Sequence, residues 1–487
     1  MPIPIRADDF LAILPPLILA GWGMILLLVD LLIPPERKTT TAWLSLLGPA
    51  GALVAVLALW NRPLTGFQGM VILDPYALFL DLVFIVALAL SVPVSLRYLK
   101  DRGIERGEYY SLLLFTTSGM MLMGAAADLI VVLIALELLS IPLYILSGLA
   151  RPDPASEESA LKYFLLGAFS SAFLVYGIAL TYGATGTTGL SEIAVALGQG
   201  SPHPLLLAGV ALLLVGFGFK VAAVPFHMWT PDVYEGAPTP VVGFMSVGAK
   251  AGGFAALLRI FLFALPGLSG QWAPALALIA ALTMILGNVV AVAQQNIKRM
   301  LAYSSIAHAG YILMGLAAHN GQGLSAALFY LLSYAFTNVG AFAVVTAMAR
   351  KEGEDLSFDQ YAGLARRQPG LAAAFTLFML SLTGIPPTSG FVGKYVLFGA
   401  AIGAGLYWLA IVGVLTSVIS AFYYLHPVVR VYFDEPLRPL PQQIAPALAV
   451  ALVVAALGVL GLGLWPAPWL EMAGRSVQSV MGLLAGL

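Results

Sequence analysis

The feature that most narrows what this chain can fold into is its succession of apolar runs, each long enough to cross a bilayer. A hydrocarbon core about 30 Å thick takes roughly 20 apolar residues in helical form. Residues 10–33, 41–60, 76–98, 108–127, 129–149, 156–183 and 205–225 meet that need in the first half. Residues 239–265, 272–294, 300–318, 323–349, 371–401, 406–429 and 444–464 do so in the second. Backbone groups in hydrocarbon must be satisfied internally, so runs of this length are read as helices. The expected fold is an all-α polytopic membrane protein with about fourteen transmembrane helices. Only 10% of residues are charged against 60% hydrophobic, where a soluble domain carries roughly 25% charged residues.

Lysine and arginine placement tests the number of spans. With the N-terminus outside, the inner segments hold Arg37, Lys38, Arg97, Lys100, Arg102, Arg106, Arg151, Lys298, Arg299, Arg350, Lys351, Arg366, Arg367, Arg430 and Arg438. The outer ones hold Arg6, Arg62 and Arg475. That bias is the positive-inside pattern, and one helix miscounted would scramble it. It places the chain in the plasma membrane with both termini on the periplasmic or outer side. The start, MPIPIRADDF, lacks a basic n-region followed by a cleavage site, so residue 10 onward is expected to be a mature first helix.

The stretch GFGFKVAAVPFHMWTPDVYEGAPTPVVGFMSVGAKAGGFAALL, residues 216–258, breaks this regularity. Pro225, Pro231, Pro238 and Pro240 with Gly236 are too many breakers for one continuous helix. Helix seven must break, and helix twelve carries a second break at Gly384, Pro386 and Pro387. Freed backbone at membrane depth survives only where protein buries it or a water-filled cavity hydrates it.

An internal repeat appears at an offset of 167 residues. Tyr144, Ile145, Leu146, Gly148 and Leu149 then meet Tyr311, Ile312, Leu313, Gly315 and Leu316, and the same offset aligns helix six with helix eleven. One unit takes in helices four to eight and the other nine to thirteen. Five is odd, so the units enter the membrane from opposite sides, as inverted repeats do in many transporters. The expected division is 1–107 (three N-terminal helices), 108–270 (first repeat), 271–430 (second, inverted repeat) and 431–487 (last helix and an amphipathic tail).

Four ionisable residues lie deep in apolar spans: Glu137, Lys220, Lys250 and Lys394. A lysine at mid-membrane costs roughly 2.5 to 3.5 kcal/mol on insertion scales, so such a residue is first read as functional. Glu137 and Lys220 are expected to pair, with the broken helix moving one relative to the other. A charge costs less beside its counter-charge, so moving one partner changes which of them holds the proton. A structural carboxylate bonded to a neighbouring helix is the plain alternative for Glu137. Lys162 is close enough to the inner surface to snorkel, and Arg259 is expected to snorkel at the outer end of its span. His227 and His308 are candidate proton relays or simple helix-packing residues. Asp232 and Glu235 are read as surface groups ordering a loop, and Asp30, Asp74, Asp81 and Asp128 as ordinary carboxylates at span ends. With zero cysteines, the chain cannot hold a disulfide, a thiolate-bound cluster or a c-type haem. Five histidines leave few metal ligands, so no metal, bound cofactor or nucleic-acid partner is expected.

The segments LELLSIPLYIL, ESALKYFLLGAFSSAFLVYGIAL, FKVAAVPFHMWTPDVYEGAPTPV, QQNIKRMLAYSSIAHAGYILMGL and LTGIPPTSGFVGKYVLF resemble those of the antiporter-like membrane subunits of respiratory complex I, the NADH-quinone oxidoreductase. The resemblance runs from Glu108 to Phe398 and is most specific at WTPDVYEGAPTP. It implies a proton pump driven indirectly, with NADH, FMN, iron–sulfur clusters and quinone handled by partner subunits. It implies that Glu137 and Lys220 form a charge pair, that Lys250 is a central relay and that Lys394 is the terminal lysine of a second half-channel. Lys162 and His308 match accessory positions. Lys394, where subunit M relatives usually carry glutamate, and a chain ending soon after helix fourteen, where subunit L relatives continue into a lateral helix, favour the subunit N branch. Partners would be the other membrane subunits of complex I, neighbouring antiporter-like subunits among them, and the lipid bilayer.

A subunit of a multisubunit Na+/H+ antiporter or of a membrane-bound hydrogenase is the alternative, since these relatives share the broken helices and lysines. A stand-alone solute transporter would need a clustered polar lining, which the spans do not offer. A scaffold with silent charges is disfavoured by four deep ionisable residues.

Overall fold

The computed structural model describes residues 6–198, 203–349, 356–436 and 444–485. Arg350, Lys351 and Arg438, counted above as inner-face residues, lie outside the described residues. Among the described residues, ten helices are long and apolar enough to cross a membrane. In chain order they are the second (Pro35–Leu59), third (Pro75–Asp101), fifth (Leu129–Ser147), sixth (Pro154–Thr185) and eighth (Thr239–Ala264). The ninth (Pro266–Val292), tenth (Ile297–Ala317), eleventh (Gly321–Met348), thirteenth (Tyr407–Phe433) and fourteenth (Pro446–Leu464) follow. The first is the shorter Leu14–Asp30, and the fourth is Glu108–Ala125. The seventh and twelfth are broken, as their prolines require. Pro204–Lys220 is followed by irregular chain and then Trp229–Gly236, and Pro369–Thr383 by Ser389–Gly403.

Local chemistry sets the ends. The first span starts at Leu14 instead of residue 10, behind a separate short helix Ala7–Ala12. Pro15 and Pro16 sit in the first turn of the longer helix, where a missing N–H has no helical acceptor to disappoint. Between the second and third helices the chain makes a small antiparallel hairpin, Leu64–Gly66 with Val71–Leu73, which hydropathy alone did not reveal. The tail forms the helix Ala467–Ala485, which packs on the third and eleventh helices.

The internal repeat extends to individual backbone bonds. Asp128 caps the fifth helix through the N–H of Ile130, and Asn296 caps the tenth through Lys298 and Arg299. Each capping residue forms an isolated bridge, Asp128 with Gly189 and Asn296 with Ser357. Beside those bridges, Leu129 N–H donates to Thr188 O at 2.9 Å and Ile297 N–H to Leu356 O at 2.8 Å. Helices this hydrophobic slide easily against one another, because lipid competes for their surfaces. Paired caps at matching places fix where the second helix of each five-helix unit begins.

The eighth helix lies at the centre, and every residue from Thr239 to Arg259 is buried. Small residues let its neighbours approach. A Cβ on Gly253 would come within 3.1 Å of the Lys220 side chain, so the stem of that lysine crosses the eighth helix there, one turn from Lys250. The core is therefore assembled around two lysines.

Candidate functional site

Lys220 is the last residue of the first half of helix seven and is buried. The break after it is satisfied by protein. Val221 N–H donates to Phe217 O and Ala223 N–H to Gly218 O, while Val224 N–H reaches the hydroxyl of Thr283 on helix nine at 3.0 Å. Ala222 takes the left-handed conformation, with φ of 59°, which sharpens the turn. The unpaired carbonyls at a helix C-terminus favour a cation, and Lys220 stands at such an end. Its ammonium donates to Ser140 Oγ at 2.7 Å and lies 5.7 Å from the centre of the Tyr163 ring.

Glu137 is near but does not touch it. Its carboxylate accepts from Ser171 Oγ at 2.6 Å, and no ion pair joins it to Lys220 among the described residues. The expected direct pair is not formed, and each partner is held by a different serine. Ser140 lies one turn beyond Glu137 on the same helix face, accepts from the ammonium and donates to Leu136 O.

The line continues through the eighth and tenth helices. Lys250, fully enclosed, donates to Ser305 O at 2.6 Å and also to Ser305 Oγ. One turn on, His308 bonds Tyr330 Oη through Nδ1 at 2.6 Å and Tyr424 Oη through Nε2 at 3.0 Å. Another turn brings Tyr311, whose ring lies 4.8 Å from the Lys394 ammonium. Ser305, His308 and Tyr311 thus share one face of the tenth helix and span the distance between the two lysines.

Lys394 lies on the second half of helix twelve, and its side chain turns back into the break. It donates to Leu382 O at 3.0 Å, Thr383 O at 2.8 Å and Ser417 Oγ at 2.9 Å. Those carbonyls are free because the first half ends at Gly384, where φ is +90°. Three acceptors match the three donors of an ammonium.

Other expected residues stand apart. Lys162 is 40% exposed and bridges Glu158 and Asp232, both at 2.7 Å. Asp232 also meets Arg299 at 3.1 Å, and Arg299 meets Glu235 at 2.6 Å. These surface charges link the sixth helix, the second half of the seventh and the start of the tenth, which goes beyond ordering one loop. His227 sits half-buried in the break of helix seven with Nδ1 enclosed and unpartnered, outside the line of lysines.

Two expectations fail outright. Arg259 does not snorkel: its side chain is 1% exposed and makes a fork with Asp74, Nη1 to Oδ2 at 3.0 Å and Nη2 to Oδ1 at 2.8 Å. Its Nε donates to Gly124 O at 3.0 Å, and its guanidinium lies 4.8 Å from the Tyr76 ring centre. Asp74 is accordingly no ordinary end-of-span carboxylate, since it pairs Arg259 while capping the third helix at Ala77. Asp81 is likewise buried, with Oδ1 unpartnered. An outward route would have left the arginine's fork without the one carboxylate whose geometry matches it.

The hydroxyls of Ser140, Ser171, Ser305, Ser417, Tyr330 and Tyr424 escaped notice in the sequence because serine and tyrosine are unremarkable in apolar helices. The usable signal was spacing, a hydroxyl three residues from a charge, as in Glu137 to Ser140 and Ser305 to His308.

Comparison with known proteins follows this geometry. The family model described as NADH:quinone oxidoreductase/Mrp antiporter, TM, matches residues 126–420. The protein of Trichlorobacter lovleyi called NADH-quinone oxidoreductase subunit N is 48% identical over 475 residues, 96% of this chain and 97% of that one. A chain from respiratory complex I of Thermus thermophilus with bound aureothin is 39% identical and covers 94% of this chain and 99% of its own, with a TM-score of 0.81. A chain of the Mrp complex from a Dietzia species covers 99% of this chain and 100% of its own, with a TM-score of 0.86. At 22% identity that last likeness speaks for the fold alone.

Proposed function

Because the chain belongs to the NADH:quinone oxidoreductase/Mrp antiporter transmembrane family, we propose that it is the proton-translocating, antiporter-like membrane subunit of an NADH-quinone oxidoreductase. Electron transfer from NADH to quinone takes place in other subunits, and this one moves protons in response. The observation that carries this reading is the set of enclosed lysines Lys220, Lys250 and Lys394, each held by a serine hydroxyl, with His308 and its two tyrosines standing between Lys250 and Lys394. A hydroxyl both donates and accepts, so each link can hand a proton in either direction when a neighbour's charge changes. Lone ammonium groups with fixed counter-charges would hold their protons instead.

Glu137, held by Ser171, is the one carboxylate beside the line and biases Lys220 by its charge across space. Lys250 is the central relay, and Lys394 closes the second half. His308 stands between them, while Lys162 and His227 are accessory. The chain takes no part in redox chemistry and binds none of the cofactors, consistent with its lack of cysteine. The lysine and arginine bias supports an orientation with both termini outside, and the membrane is the plasma membrane on this reading. The functional units follow the boundaries 108–270 and 271–430, preceded by 1–107 and followed by 431–487.

The test is made in the assembled complex in proteoliposomes. Lys220→Ala and Lys394→Ala should each lower proton uptake per NADH oxidised while the complex still co-purifies. Undiminished pumping in both variants would defeat the reading. Co-purification with membrane partners alone would favour the antiporter alternative.

A further inference from the structure

A cavity of about 340 Å³ opens at the face that carries Arg430, between the ends of the ninth and thirteenth helices. Gln294 and Gln295, Asp359, and Tyr423, His426 and Arg430 line it. At ~30 Å³ per molecule it has room for on the order of ten waters. Arg430 and Asp359 pair at its mouth. Tyr423, His426 and Arg430 form one stripe of the thirteenth helix. Tyr423 is ten residues from the helix end at Phe433, roughly 15 Å inward at 1.5 Å per residue.

Two observations show that this recess leads into the core. Pro427 has no N–H to give the carbonyl of Tyr423, four residues back, so that acceptor lacks its helical donor. Freed backbone at depth is tolerated where it lines a water-filled space. At the inner end, Tyr423 donates its hydroxyl to Asn288 Oδ1 at 2.9 Å, and its ring packs on that of Tyr424, centre to centre 4.4 Å. Tyr424 is the residue that bonds His308 and Ser304. The cavity therefore ends two adjacent tyrosines away from the histidine that stands between Lys250 and Lys394.

We propose that this cavity is an aqueous inlet of the second five-helix unit, by which protons reach His308 through Tyr423 and Tyr424. Asn288 is a positioning residue that fixes the Tyr423 hydroxyl. Each hop forms one bond to hydrogen and breaks another: a hydronium ion in the cavity protonates the Tyr423 hydroxyl and becomes water, that hydroxyl releases its own hydrogen to Tyr424, which does the same in turn, and His308 takes up the last proton at Nε2. The inference rests on the proton-pumping reading above, but it concerns where protons enter.

The chain has no native cysteine, which permits a test after assembly. Gln295→Cys is introduced at the cavity, the complex is reconstituted, and the thiol is modified with a bulky, membrane-impermeant maleimide. NADH oxidation and proton uptake are then measured. Plugging should remove more than half of the pumping rate, and the same label on Glu435→Cys, exposed on the same side, should remove none. Tyr423→Phe, which keeps the ring and deletes the hydroxyl, should show a similar loss. If plugged Gln295→Cys pumps like the wild type while Lys220→Ala does not, the inlet is refuted and the proton-pumping reading stands. If Lys220→Ala and Lys394→Ala also pump normally, that reading falls too. Should Tyr423→Phe fail to assemble, the plugging result decides alone, since it acts on complex already formed.

Discussion

The ammonium of Lys220 lies 2.7 Å from the hydroxyl of Ser140, and that serine stands one helical turn from Glu137, whose carboxylate is engaged by Ser171 instead. The two charges are thus held by separate serines and act on each other only across space. A direct ion pair would pin both side chains. A neutral hydroxyl as partner leaves the lysine held yet free to exchange its proton.

Ser140→Ala should therefore impair the pump without touching either charge. A buried hydrogen bond to a charged group contributes about 1.5–3 kcal/mol, so proton translocation should drop by about tenfold or more. The check is NADH-driven proton uptake in proteoliposomes, with assembly followed by co-purification. Ser140→Thr, which keeps the hydroxyl, should recover much of the rate; a Thr variant as poor as Ala would argue that packing is what matters there.

At the second break, Lys394→Ala should lower pumping and Lys394→Arg should not restore it. Arginine brings a planar fork in place of three radiating donors and keeps its proton at any working pH, so it can neither match Leu382 O, Thr383 O and Ser417 Oγ nor release a proton. Proton uptake per NADH in the two variants measures this. Wild-type pumping by the arginine variant would show that fixed positive charge is sufficient.

The Arg259–Asp74 fork makes a different prediction, about stability. Removing one partner of an enclosed ion pair costs about 3–5 kcal/mol, so Arg259→Met should markedly lower the unfolding temperature. Adding Asp74→Ser, which retains a capping oxygen for Ala77, should recover part of the loss by removing the stranded carboxylate. Thermal unfolding of the purified complex reads both. Additive losses in the double variant would mean the two residues are not coupled.

Sidedness is tested with single cysteines at positions 102 and 366, each in an otherwise cysteine-free chain. Both should resist an impermeant thiol reagent in intact cells and react once the membrane is opened. Labelling of either from outside would reverse the orientation inferred from the basic residues.

Much of the architecture was legible because the bilayer imposes it. The spans and the two breaks follow from hydropathy, proline and glycine, and the breaks appear where the sequence puts them, while the first span starts at Leu14 instead of residue 10 and the paired caps lie 168 residues apart, one beyond the repeat offset. What stayed hidden depends on contacts between helices far apart in sequence. Arg259 looked like a residue free to reach the surface until the third helix placed Asp74 against it. Ser140 carried no sign that it would take the Lys220 ammonium, because periodicity gives a face and not the neighbour that face meets. The hairpin at Leu64–Leu73 was too short to leave a pattern, and the network of Lys162, Asp232 and Arg299 joins three helices no local signal connects.

The three bonds that Lys394 makes inside the break of helix twelve tie protonation to shape. As an ammonium it offers three hydrogens to three acceptors, two of them backbone carbonyls that the interrupted helix has left bare. As a neutral amine it has two hydrogens and a lone pair, which faces an oxygen and repels it. The Ser417 hydroxyl, which donates to Thr383 O at 3.2 Å, can turn its hydrogen to that lone pair, and the amine then keeps both carbonyls. Loss of the proton at Lys394 is thereby written into the orientation of one serine, which sits where the thirteenth helix faces the break.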